Sequence, residues 1–294
     1  MKNPNRRYLA PDLNVSKMYE LFKEPRTPVS EHAFRSVFNH EYHLCYHAPL
    51  QGTCKTCDTL SAKLRACDIE SEKHKLMAHS ARKGLQDHAA HSKIPENDVT
   101  VVTFDLQKTL PTPVPSTGIV YYKQQLWNFG MHCMNDNVAY MYVWDESVAS
   151  RGPQKVASVL LFHLKKHIRT KNLIRYSDCC GGQNRNLKNA LLWSYVTQSN
   201  EYTVENIDHK FLIPGHTFLP IDQDFGLVEK NKRYHSKVFV PKDWMKVIES
   251  AKKREPKFVV TRLAESDFIS TKKLEESTVN RKLMPVDRKI HWLH

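Results

Sequence analysis

"VTVVTFDLQ", residues 99–107, is the stretch on which the reading of the fold turns. Valine, threonine and phenylalanine suit a pleated strand, but Asp105 stands among apolar neighbours, where aspartate is disfavoured. An edge or turn position would explain a lone aspartate there. A site built into a buried strand would explain it too.

Just upstream, "KIPEND" (93–98) reads as a boundary. Downstream, "TGIVYYKQQLWNFGMHCM" (117–134) and "NVAYMYVWDES" (137–147) are further strand-like runs at hairpin spacing. "GPQKVASVLLFHLKKHI" (152–168) puts Pro153 in a first helical turn, with Val156, Val159, Leu160 and Leu164 on one stripe. Then come a strand "LIRYSD" (173–178), a helix from "QNRNLKNALLWSYVTQS" (183–199), a strand "IDHKFLIPG" (207–215) and a helix through "FGLVEKNKR" (225–233). The order βββαβαβα predicts an α/β fold: a mixed sheet with helices on its faces, as in the ribonuclease-H-like plan. Ahead of it, Ser30 reads as the N-cap of a helix carrying Phe34, Val37 and Phe38, and residues 61–92 as a long amphipathic helix with Leu64, Ile69, Leu76 and Leu85. The expected division is a helical region with a Cys/His cluster over 1–94, the core over 95–240, and an extension of a helix and edge strands over 241–294.

In the ribonuclease-H-like plan the first and fourth strands are parallel neighbours. Asp105 and Asp178, the latter closing "RYSD", would then meet at one sheet edge. Taken alone, Asp178 is an ordinary cap or turn residue. Together the two carboxylates repel, and a divalent cation relieves that cost. A third acid is expected from the last core helix, where Asp222 and Asp224 fall in the first turn and Glu229 lies about two turns on. Such a set suits two Mg²⁺ or Mn²⁺ ions acting on a phosphodiester. His216, in "PGHT", is either a proton shuttle or a histidine bonded to its own loop. Gln183, Asn184, Arg185 and Asn186, with the basic run Lys230, Lys232 and Arg233, are candidates for nucleic-acid contact, although the amides could equally cap a helix.

Forty-four Lys and Arg against 31 Asp and Glu leave a formal charge of +13, which favours a polyanionic partner, DNA above all. No run approaches the roughly 18 apolar residues of a membrane span, and "MKNPNRRYLAPDLN" has no apolar signal core, so the expected setting is nuclear or cytoplasmic. Cys54 and Cys57 form a C-x-x-C with Cys45 and His47 just upstream and Cys67, His74 and His79 downstream. That spacing suits a structural zinc, and free thiols are the alternative. Whether the chain self-associates is left open by the sequence.

"TFDLQ", "RYSDCCGGQNRN" and "HKFLIPGHTFLPIDQDFGLVEK", together with "GTCKTCDTL", "YYKQQLWNF", "YVWDESVASRG" and "IHWL", resemble a transposase-derived family of insects and other invertebrates. The resemblance runs from about residue 30 onward and implies a DDE-transposase core of ribonuclease-H-like fold, cutting nucleic acid and transferring strands with Mg²⁺ or Mn²⁺. It implies Asp105 and Asp178 as the first two catalytic acids, with the third among Asp222, Asp224 and Glu229; Asp224 is the first choice, ahead of Asp222. One departure stands out. The resemblance also implies an acid just after "SRG", and Lys155, which cannot ligate a hard cation while charged, takes that place. A descendant that has lost catalysis and acts as a DNA-binding or interaction module is the alternative.

Overall fold

The computed structural model describes residues 13–22, 29–42, 54, 56, 57, 59, 68–113, 124–235 and 238–278, with backbone alone at 7–9, 44–46, 68, 69, 71 and 278. The chain divides into two compact units, Met1–Leu64 and Arg65–His294. No helix among the described residues is long and apolar enough to cross a membrane.

In the first unit, β1 (Arg7–Leu9) pairs in parallel with β2 (Leu44–Tyr46). Between them in sequence lie α1 (Val15–Phe22) and α2 (Glu31–Glu41). The expected cap of α2 is present: the Ala33 N–H donates to Ser30 Oγ at 3.2 Å. Tyr19 and Phe22 pack their rings against Phe34, which joins the two helices through aromatic contact.

The second unit opens with α3 (Asp68–His91). Its buried face carries Ala78, Leu85 and Ala89, at spacings of seven and four that follow one helical stripe, whereas Leu76 lies off that stripe and is exposed. Among the described residues the sheet has seven strands: β3 (Val99–Leu106), β4 (Leu110–Thr112), β5 (Gln124–Cys133), β6 (Ala139–Asp145), β7 (Asn172–Ser177), β8 (Asn206–Phe211) and β9 (Val259–Arg262). Their order is β8-β7-β3-β5-β6-β9, with the short β4 paired to β5. β5 runs antiparallel to β3 and β6, while β7, β8 and β9 join in parallel. The fold is thus a mixed α/β sheet with helices against it. The helices of this part are α4 (Pro153–His167), α5 (Leu187–Gln198), α6 (Pro220–Lys232), α7 (Pro241–Glu249) and α8 (Lys272–Thr278).

Alternation along the strands sorts the core into two layers. Val102, Phe104 and Leu106 of β3 join Val156, Val159, Leu160 and Leu164 of α4 and Leu192, Trp193 and Val196 of α5. Val99 and Val101 belong to the other layer, with Ile221, Phe225 and Val228 of α6 and Trp244, Val247 and Ile248 of α7. Asp105 follows the odd-numbered residues of β3 and so lies on the α6 side.

Gly130 decides how closely α6 can sit. It pairs with Asp105 across β3 and β5. A Cβ there would lie 2.5 Å from Ile221 Cδ1 and 2.7 Å from Phe225 Cε1, so the helix rests directly on the bare glycine backbone. Gly130→Ala is expected to overpack this seat and cost about 1–3 kcal/mol, read as a lower urea midpoint. An unchanged midpoint would show that α6 does not bear on Gly130.

Candidate functional site

The site grows from the pairing of β3 with β7. The parallel register sets Thr103 against Tyr176, and following both strands two residues further brings Asp105 level with Asp178, just past the end of β7. Asp222 comes from the first turn of α6, the helix seated beside Asp105 on Gly130. All three aspartates are half-buried.

Asp105 feels the charges of both Asp178 and Asp222, and Asp222 that of Asp178. Burial first, then the charge of Asp178 and, more weakly, that of Asp222 push the Asp105 carboxyl up to about 7 against the opposing effects of the Leu106 amide and the Arg151 guanidinium. Asp222 is also raised, first by burial and then by Asp178, although the Leu219 amide pulls it the other way. Mutual repulsion of this kind is what a bound cation would remove, and three carboxylates are hard oxygen donors suited to Mg²⁺ or Mn²⁺.

Asp178 and Asp222 each spend one oxygen on the protein. Asn184 Nδ2 and, at 3.2 Å, the Cys180 N–H donate to Asp178 Oδ1. The Leu219 N–H donates to Asp222 Oδ2 at 3.1 Å, which ties the carboxylate to the helix start as a cap. Asp178 Oδ2 and Asp222 Oδ1 take no hydrogen bond among the described residues. One oxygen on each is left for a ligand.

Asp224 and Glu229 are engaged elsewhere. Asp224 is buried on the inner stripe of α6, its Oδ2 2.6 Å from Nδ1 of His132 on β5, and His132 Nε2 lies 3.0 Å from Asn137 Oδ1. This pair fastens the helix to the sheet. Glu229 accepts from Gln107 Nε2 at 3.2 Å, and Gln107 Oε1 in turn accepts from Asn128 Nδ2 at 2.8 Å. Asp222, and not Asp224 or Glu229, is among the charges that raise the Asp105 carboxyl.

The amide-rich loop caps a helix, as one of its two readings expects, and bonds to Asp178. α5 begins only at Leu187, with Asn186 as its cap, the Asn189 N–H donating to Asn186 Oδ1 at 3.1 Å. Gln183 and Asn184 are buried, and Asn184 is the residue that holds Asp178. Arg185 donates from Nη1 to Cys179 Sγ at 3.0 Å. Of the basic run closing α6, Lys230 and Arg233 are exposed and Lys232 is half-buried. Lys155 turns its Nζ over the Phe268 ring at 4.9 Å. The His216 ring meets that of His74, and burial followed by the charges of His74, Arg82 and Lys75 lowers its pKa. Of the other zinc candidates, His47, Cys67 and the Cys45 side chain lie outside the described residues, and His79 is exposed.

No family model matches the chain, and no curated protein does. Among solved structures, "Crystal structure of NurA" is 9% identical over 75% of this chain and 52% of its own, with a TM-score of 0.16. "Crystal structure of NurA bound to dAMP and manganese" is 8% identical over 74% of this chain and 48% of its own, with a TM-score of 0.15. The chain spans about half the length of these structures, and at such TM-scores the likeness bears on neither fold nor function.

The Asp105 shift has a sign that can be measured. The folded carboxyl holds its proton up to about pH 7, whereas in the unfolded chain it releases the proton near its ordinary value of 3.8. The folded state therefore binds more protons between those values, and stability falls as pH rises through that window, by roughly 4 kcal/mol at most. Asp105→Asn removes this pH dependence. In chelator at pH 8 the variant is expected to melt higher than the parent, and Mn²⁺ should raise the parent's melting temperature more than the variant's. A variant that melts lower in chelator would contradict this account of the site.

Proposed function

We propose that the protein is a metal-dependent phosphodiester-cleaving enzyme of ribonuclease-H-like fold, in the manner of a DDE transposase, acting on DNA. The single observation that carries the reading is the parallel register of β3 and β7 that sets Asp105 level with Asp178, beside the first turn of α6 that carries Asp222; the raised Asp105 carboxyl supports it. The strand order β8-β7-β3-β5-β6, with β5 alone antiparallel to its neighbours, supports the fold assignment. The formal charge of +13 supports a polyanionic substrate.

Asp105, Asp178 and Asp222 would hold Mg²⁺ or Mn²⁺. When bound, such ions supply an activated water or 3′-hydroxyl and charge to steady the leaving oxygen. Asn184 and the Cys180 amide orient Asp178, and the Leu219 amide orients Asp222. The exposed Lys230 and Arg233 are placed to meet backbone phosphates.

A second reading, a DNA-binding module whose chemistry has lapsed, is favoured by Lys155, a cation packed over Phe268 where the family resemblance implies an acid. One assay separates the two. With Mn²⁺ the purified protein is expected to nick supercoiled plasmid, and Asp178→Asn to abolish nicking while salt-sensitive DNA retardation persists. Retardation without nicking in the parent would leave only the lapsed form.

The third acid can be assigned by comparing two substitutions. Asp222→Asn is expected to abolish nicking with little loss of stability. Asp224→Asn is expected to destabilise the fold by breaking the buried pair with His132, for which loss of one partner typically costs about 3–5 kcal/mol. Nicking retained in Asp222→Asn and lost in a stably folded Asp224→Asn would reverse the assignment.

A further inference from the structure

We propose that Arg175 holds a single small anion of the halide class in a gap inside the second unit, between the sheet and the helices α4 and α5. Arg175 stands in β7, where the register sets it opposite Val102 of β3 and His209 of β8, and it is only 1% exposed. Neither neighbour carries a negative charge. Nε, Nη1 and Nη2 of Arg175 have no hydrogen-bond partner among the described residues. The Trp193 ring, its centre 3.5 Å from the guanidinium carbon, offers the cation a π face but takes up none of its in-plane N–H groups. Burial holds the Arg175 pKa well below its ordinary value, and the charge of Asp208 acts against this; Asp208 itself pairs with Lys210 at 3.8 Å. A guanidinium keeps its charge inside a protein, and a buried charge needs a partner of opposite sign.

The gap has the size and lining for such a partner. Its volume is about 10 Å³, and its apolar wall includes the buried side chains of Val102, Met131, Leu160 and Leu164. The polar groups on the wall are donors. Trp193 Nε1, which can only donate, has no partner among the described residues, and neither has His163 Nε2. His163 Nδ1 lies 2.7 Å from the Tyr142 hydroxyl, and when that hydroxyl donates, Nε2 carries the proton of the ring. Among the described residues no acidic side chain lines the gap. Space on the scale of one water-sized occupant excludes sulfate, phosphate and carboxylates. Water would fit, but it leaves the guanidinium charge uncompensated. A halide ion accepts hydrogen bonds from every side and cancels the charge, and chloride is the common member of that class. β7 ends just ahead of Asp178, so an anion at Arg175 would steady the strand that carries this acid.

The inference is independent of the phosphodiester reading and has its own test. At constant ionic strength the full-length protein is expected to melt higher in sodium chloride than in sodium gluconate, whose anion is too large for the gap. The gain should be roughly 3 °C for each tenfold rise in chloride once the site is half filled. Arg175→Met puts an apolar side chain of similar length in place of the cation, and it is expected to fold and to melt at the same temperature in both salts. Asp178→Asn should keep the chloride response. Crystals of the unaltered protein prepared throughout in sodium bromide should show an anomalous peak in the gap beside the Arg175 guanidinium and Trp193 Nε1, a readout that does not depend on the folding of any variant. Equal melting of the parent in the two salts, a chloride response that survives in Arg175→Met, or a bromide map with water alone in the gap would overturn the proposal.

Discussion

The seat of α6 on the bare backbone of Gly130 is the contact on which the arrangement of acids depends. Two further features hold the helix in that seat: the apolar stripe of Ile221, Phe225 and Val228, and the buried pair between Asp224 and His132. A side chain at residue 130 would lift the helix, and Asp222 would move with it. Packing thus sets the position of one carboxylate, and strand register sets the other two.

Once gathered, the carboxylates oppose the fold that gathers them. Burial and the neighbouring charges of Asp178 and Asp222 hold Asp105 protonated to about pH 7, which is a cost to a protein with no ion bound. Stability surrendered at one place and recovered on binding is a common mark of a functional site. The surrounding hydrogen bonds fit that view, since Asn184 and the Cys180 and Leu219 amides orient Asp178 and Asp222 while leaving one oxygen of each without a protein partner.

Much of the architecture was legible because strand and helix periodicity is a local property. The runs at 99–107 and 137–147, the Pro153 helix with its apolar stripe and the Ser30 cap all depend on residues a few places apart, and each is present. What was not legible depends on distant partners. Asp222 and Asp224 are two apart on one helix turn, and choosing between them requires knowing that His132 lies beneath the second. Asn184 resembled a cap until its partner proved to be Asp178, and Arg175 is buried in β7 with its guanidinium carbon 3.5 Å from the centre of the Trp193 ring and no hydrogen-bond partner for its guanidinium nitrogens among the described residues. Leu76 was misleading for the opposite reason, because a leucine in an amphipathic helix need not share the buried face.

The most direct test of the central claim is an anomalous-difference map from crystals soaked in Mn²⁺. The account predicts metal density bounded by the carboxylates of Asp105, Asp178 and Asp222, with none at Asp224. Density at other carboxylates, or a soaked crystal with none beside Asp105, would contradict it.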